Sequence, residues 1–207
     1  MKLTTKFYSF IISGFIVLSL FSCSKETISN DNNTNGTSNL EATTLTNVEY
    51  GEHLKQVYDL YLPAKRDSNT PVILMIHGGA WKAGQKEDFN PYLNILKNKW
   101  KDVAIVNINY RLASNVNNIH HSEIIADINA AVAHILANKE NYHISSNMGI
   151  TGASAGGQLA MIYAFKYNNF SNIKCVGNIF GPSIISDWDW YNSFNLWLGA
   201  NTGDIFL

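Results

Sequence analysis

Gly152, Ala153, Ser154, Ala155 and Gly156 set a serine between two glycines at a spacing suited to nucleophilic attack on a carbonyl. When such a Gly-x-Ser-x-Gly joins a strand to a helix, it forms a strained turn that pushes the serine oxygen into the open. The small neighbours let strand and helix approach closely around that turn. Acyl transfer also passes through a tetrahedral oxyanion, which needs fixed hydrogen-bond donors. His77-Gly78-Gly79-Ala80-Trp81, further upstream, can supply them because glycines allow a loop to aim its amides at a substrate. The expected donors are the backbone N–H groups of Ala155, Gly78 and Gly79, with Ala80 as a further candidate. His77 reads as a brace for the loop.

These groups need a scaffold, and the hydrophobic pattern describes one. Val72 to Ile76 is a continuous apolar run, as expected of a strand buried on both faces of a parallel sheet, and Val103 to Ile108 reads as another buried strand. Met148 to Thr151 reads as a strand entering the Ser154 turn, and Ile173 to Phe180 as the strand that follows. Helical spacing marks Asp88 to Trp100, His121 to Asn138 and Gln158 to Tyr167. Val48 to Tyr50 and Gln56 to Leu62, separated by Gly51 and closed by Pro63, suggest an antiparallel hairpin. Strands alternating with helices of this length indicate an α/β fold: a doubly wound, mostly parallel sheet with helices on both faces.

His77-Gly78-Gly79-Ala80-Trp81, Asn109-Tyr110-Arg111-Leu112 and Gly152-Ala153-Ser154-Ala155-Gly156-Gly157 match, in order and spacing, motifs of the α/β-hydrolase superfamily. Over residues 46 to 185 the chain resembles its esterase/lipase branch, close to hormone-sensitive-lipase-like enzymes and small bacterial carboxylesterases. Kynurenine formamidase-like enzymes share a similar His-Gly-Gly-x-Trp, so hydrolysis of an N-formyl or N-acyl amide is an alternative to that of an ester. The resemblance implies Ser154 as the nucleophile of an acyl-enzyme mechanism, and no cofactor. It also implies an acid and then a histidine after the serine, each delivered by a further strand. The six histidines, His53, His77, His120, His121, His134 and His143, all precede Ser154, and the later carboxylates are Asp187, Asp189 and Asp204. The expectation is an α/β-hydrolase fold without its C-terminal strands, inactive or weakly active because a serine hydroxyl needs a base to take its proton. A noncatalytic, envelope-anchored binding protein is the competing expectation. In that case the aromatic run from Trp188 to Trp197 would stack on sugars or apolar ligands.

Lys2 and Lys6 precede an uncharged apolar stretch from Phe7 to Ser22, the pattern of a secretory signal and too short for a comfortable membrane span. Leu20-Phe21-Ser22-Cys23 resembles the lipobox of bacterial lipoproteins, which implies lipidation at Cys23 and anchorage at the bacterial cell envelope. The expected organisation is a signal at 1–22, a Ser/Thr/Asn-rich tether over 23–46 that cannot bury enough surface to order itself, and the α/β-hydrolase domain over 47–207. With Cys23 lipidated, Cys175 is expected to be a buried free thiol.

A formal net charge of −1, with scattered basic residues, argues against a nucleic-acid surface or a polybasic membrane patch. The expected partners are a small-molecule or oligosaccharide ester and, through the lipid, a membrane. His120 and His121 are adjacent on a helix and so diverge by about 100°, which argues against a metal site.

Overall fold

The apolar runs become neighbouring strands. The computed structural model describes residues 39–183. β1 (Thr43–Glu49) and β2 (Val57–Leu62) form the expected antiparallel hairpin, with an irregularity between Leu45 and Val48. β2 pairs antiparallel with β4 (Ala104–Ile108), while β4, β3 (Val72–Ile76), β5 (Met148–Ala153) and β6 (Ile173–Ile179) run parallel. The order across the sheet is β1-β2-β4-β3-β5-β6.

Period-two alternation divides the strand residues between two cores. Leu74, Ile76, Val106, Ile108 and Ile150 join the larger one, built with Ile124, Ile128 and Val132 of α2 (His121–Ala137) and Leu159 of α4 (Ala155–Ile162). Met75 and Ile105 join the smaller one, with Phe89 and with Leu93 of α1 (Asn90–Lys99). β4 is therefore buried on both faces, while the second face of β5 is only partly covered.

Helix boundaries depart from the sequence expectation for local reasons. The segment expected from Asp88 opens as a 3-10 turn, Lys86–Phe89, before α1 starts with Pro91 in its first turn, where proline's missing N–H costs nothing. The helix expected from Gln158 starts three residues earlier, at Ala155, and ends in a π-helical turn, Tyr163–Tyr167. After α2 the chain makes a short α3 (Lys139–Tyr142), closed by left-handed His143.

Two expectations are corrected. The tether was expected to run through residue 46, but β1 begins at Thr43, and the Glu41 carbonyl accepts from the buried Arg66 guanidinium at 2.7 Å. Residues Thr43–Asn47 look polar because an edge strand needs few apolar side chains. Cys175 is a free thiol but exposed. Its strand β6 pairs with β5 on one side, and among the described residues no strand pairs on the other. An apolar groove of about 770 Å³, bordered by Met75, Phe89, Tyr92, Ile95, Trp100 and Val176, separates α1 from β5 and β6. The signal, Cys23, Asp187, Asp189, Asp204 and the aromatic run after Trp188 lie outside the described residues.

Candidate active site

The end of β3 and the end of β5 lie side by side, with Ile76 in register with Gly152. Ser154 follows β5 with φ 53° and ψ −121°, a conformation that a side chain rarely adopts, and it caps α4. The backbone around it is held on both sides. Ser154 N–H donates to Ile179 O at 2.9 Å, and Ser154 O accepts from Gly157 N–H at 2.9 Å and Gln158 N–H at 3.2 Å. Gly156 is required by close approach, since a Cβ there would run into the carbonyls of Ile76 and His77. Ala155 is the first residue of α4, so its N–H has no intrahelical acceptor and lies at the positive end of the helix.

The His77–Trp81 loop is also strained. Gly79, Ala80 and Trp81 all have positive φ, at 113°, 51° and 62°. Such a run persists only where its surroundings over-determine it. Lys82 N–H and Ala83 N–H both donate to Gly79 O, and Ala113 N–H donates to Trp81 O at 2.8 Å. The Trp81 ring is fully buried, and its indole N–H donates to Gln158 Oε1 at 3.2 Å. The segment that follows is fastened through buried Lys86. Its ammonium binds Asp59 at 2.9 Å, its N–H donates to Asn109, and its carbonyl accepts from Asn107. Burial opposes the charge on Lys86, but its hydrogen bonds to Glu87 and Asp59 outweigh burial and raise its pKa.

Of the expected site residues, Ser154 and Ala155 line one cavity and Gly79 does not. Ser154 and Ala155 share a cavity of about 310 Å³ with Ala80, Trp81, Phe180, Gly181 and Pro182. Gly78 adjoins it, since a Cβ at that position would lie 3.2 Å from Ser154 Cβ. Phe180 (φ 44°) and Gly181 form the wall after β6. Asn178 fixes them, accepting from Gly181 N–H at 2.7 Å and donating to Gly181 O at 2.9 Å.

The histidines are engaged elsewhere. His77 is buried, with Nδ1–H donating to Gly78 O at 2.7 Å, so it braces the loop from within. Burial lowers its pKa despite that bond. His121 Nε2 meets Gln158 Oε1 at 3.3 Å, and burial likewise lowers its pKa while the glutamine works the other way. His134 pairs with Tyr58, His120 with Asn118, and His53 accepts from Lys55 N–H. The cavity lining includes no histidine or carboxylate among the described residues. Among the described residues no group of three His, Cys, Asp or Glu side chains is placed to hold a metal ion.

Sequence reasoning passed over Gln158, Asn178 and Phe180. Gln158 had a visible signal: it is the one large polar residue on an otherwise small and apolar helix, four positions after the serine. Asn178 and Phe180 had none, because their importance comes from where β6 ends.

Residues 58–200 match the BD-FAE family model. A kynurenine formamidase of Salmo salar is 28% identical over 147 residues, covering 70% of this chain and 47% of that protein. A bifunctional GH43-CE protein of Bacteroides eggerthii superposes with a TM-score of 0.57 at 28% identity, over 67% of this chain and 21% of the other. A truncated form of a carbohydrate esterase from gut microbiota superposes with a TM-score of 0.51 at 28% identity, over 61% and 45%. The chain thus spans less than half the length of each. Sheet order, crossover helices and these likenesses agree on the α/β-hydrolase fold.

Proposed function

This chain belongs to the BD-FAE family, and from that footing we propose that it is a serine hydrolase of carboxylic esters, with Ser154 as nucleophile. The observation that carries this reading is the meeting of Ser154, in its strained turn, with left-handed Ala80 and Trp81 around one cavity. Ser154 Oγ would attack the substrate carbonyl while its proton passes to a base. The carbonyl oxygen, now negative, would accept from the N–H groups of Ala155 and of Gly78 and Gly79. Collapse of this intermediate expels the alcohol and leaves an acyl-serine, which water then hydrolyses to the acid. Donors fixed in advance stabilise the developing charge without reorganising at the moment of reaction.

The base and its orienting acid are not in the cavity among the described residues, and every histidine of the sequence precedes Ser154. On this reading, slow turnover of esters is the expected behaviour of a Ser154 without a base at hand. A preformed oxyanion site without its base still leaves roughly 10³ to 10⁴ over water.

The likeness to a kynurenine formamidase supports a second substrate class, N-formyl or N-acyl amides. The likeness to a carbohydrate esterase supports oligosaccharide esters beside small-molecule ones. Cys23 as a lipidated residue would place the site at the bacterial cell envelope, and fatty-acid labelling lost in Cys23→Ser tests that placement. The function itself is tested with p-nitrophenyl acetate and a fluorophosphonate on the wild type and Ser154→Ala. Slow turnover and slow labelling, both lost in the variant, are expected. Turnover that survives in Ser154→Ala would favour a noncatalytic binding protein with adventitious hydrolysis.

A further inference from the structure

Gln158 is 2% exposed, yet its amide is half used. Oε1 accepts from the Trp81 indole at 3.2 Å and lies 3.3 Å from His121 Nε2, while Nε2 has no partner among the described residues. An indole N–H can only donate, so the amide orientation is fixed with Oε1 towards Trp81. His121 must then present an Nε2–H to the second lone pair. A buried amide with an unused donor costs stability, and an apolar side chain of the same shape would avoid the cost. What the glutamine adds is a single oxygen joining three elements: the loop after β3, the start of α2, and the helix that Ser154 caps.

Trp81 is also the last of three consecutive left-handed residues, two of them carrying side chains. Two residues of that run, Ala80 and Trp81, line the cavity with Ser154, so whatever holds the indole holds this wall of the cavity. We propose that Gln158 is a positioning residue: its Oε1 clamps Trp81 against His121 and so keeps the Gly79–Ala80–Trp81 run, and the amides it aims, in place beside Ser154. This rests on the reading of Ser154 and the His77–Trp81 loop as an ester-hydrolysing site. His121 serves here as the outer support of the clamp, engaged with the glutamine.

Backbone amide exchange over residues 78–83, read by mass spectrometry on the whole chain, tests the clamp without requiring activity. Gln158→Met removes the acceptor at nearly constant volume, and Gln158→Glu keeps it. Exchange in this segment is expected to quicken at least tenfold in Gln158→Met and to return towards the wild-type rate in Gln158→Glu. The slow p-nitrophenyl acetate turnover should follow, with kcat reduced about tenfold to a hundredfold and KM little changed, as for loss of transition-state donors. Wild-type exchange in Gln158→Met overturns the proposal, and so does faster exchange with unchanged Ser154-dependent kcat. Should Gln158→Met fail to fold, His121→Phe removes the outer donor, and exchange in 78–83 that stays at the wild-type rate then overturns the clamp. Hydrolysis that persists in Ser154→Ala would reject the ester-hydrolase reading instead. The exchange comparison then decides the clamp alone.

Discussion

The His77 ring lies flat on Tyr110, with centroids 4.3 Å apart and planes 10° from parallel, and the Tyr110 hydroxyl donates to the His77 carbonyl at 3.1 Å. This pair ties the point where β3 becomes the loop to the residues after β4. Burial raises the Tyr110 phenol well above its usual pKa, so it remains a donor throughout the working pH range. Tyr110→Phe keeps the stack and deletes the bond. The expected loss is about 1 kcal/mol of unfolding free energy, measured by urea titration. No change would mean that the carbonyl is satisfied elsewhere.

Buried His77 and half-buried His121 make stability depend on pH. Burial holds His77 and His121 below their ordinary value of 6.5. Between 6.5 and the lowered values, the unfolded chain binds protons that the folded chain does not, so stability falls as pH drops through that window and is level above it. Glu87 and Glu123 have lowered carboxyl pKa values, with their losses falling below 4.5, which separates the two effects. Thermal midpoints measured from pH 8 to pH 5 should decline below about 6.5. The slope should flatten in a His77→Gln, His121→Gln double variant, whatever its absolute midpoint. An undiminished slope would assign the titration to other groups.

Strands β3 and β4 could be read from their residues because a strand covered on both faces is apolar along most of its length. The Ser154 turn was equally legible, since close packing at Gly156 restricts which residues fit. Cys175 was not. Its apolar neighbours suggest burial, but exposure on β6 depends on what covers that strand, which no local pattern encodes. The same holds for Thr43–Asn47, where polar residues serve an edge strand as well as a tether. Trp81 could be recognised from its motif, while its left-handed backbone and its bond to a glutamine 77 residues later appear only when the ends of β3 and β5 are brought together.

Asp127 is a second fastening that the fold depends on. Its buried carboxylate accepts from the Arg111 N–H, Nε and NH2 groups and from Gln56 Nε2, which joins α2 to the segment after β4 and to the β1–β2 hairpin. The bond to Asp127 in turn raises the pKa of the Arg111 guanidinium. Asp127→Ala strands those donors at once. Removing one partner of a buried pair costs about 3–5 kcal/mol, and partial exposure of Arg111 (26%) puts the expected loss near 3. Chemical denaturation measures it. A loss under 1 kcal/mol would show that water replaces the carboxylate.

Phe180 borders both the Ser154 cavity and the apolar groove, and the residue is 81% exposed. Its exposure means that Phe180→Ala should change stability by no more than about 0.5 kcal/mol. Its position at the cavity rim means that it meets whatever part of a substrate extends beyond the reacting carbonyl. Contact with part of a phenyl ring is worth about 1 kcal/mol, or roughly fivefold in binding. That contact is the same in the ground state and the transition state, so its loss should raise KM and leave kcat alone. Comparing p-nitrophenyl acetate with p-nitrophenyl octanoate tests this: KM should rise for the octanoate in Phe180→Ala and stay constant for the acetate. An equal rise for both would place the effect at Ser154 itself, through a shift of the Asn178-held turn rather than through the ring.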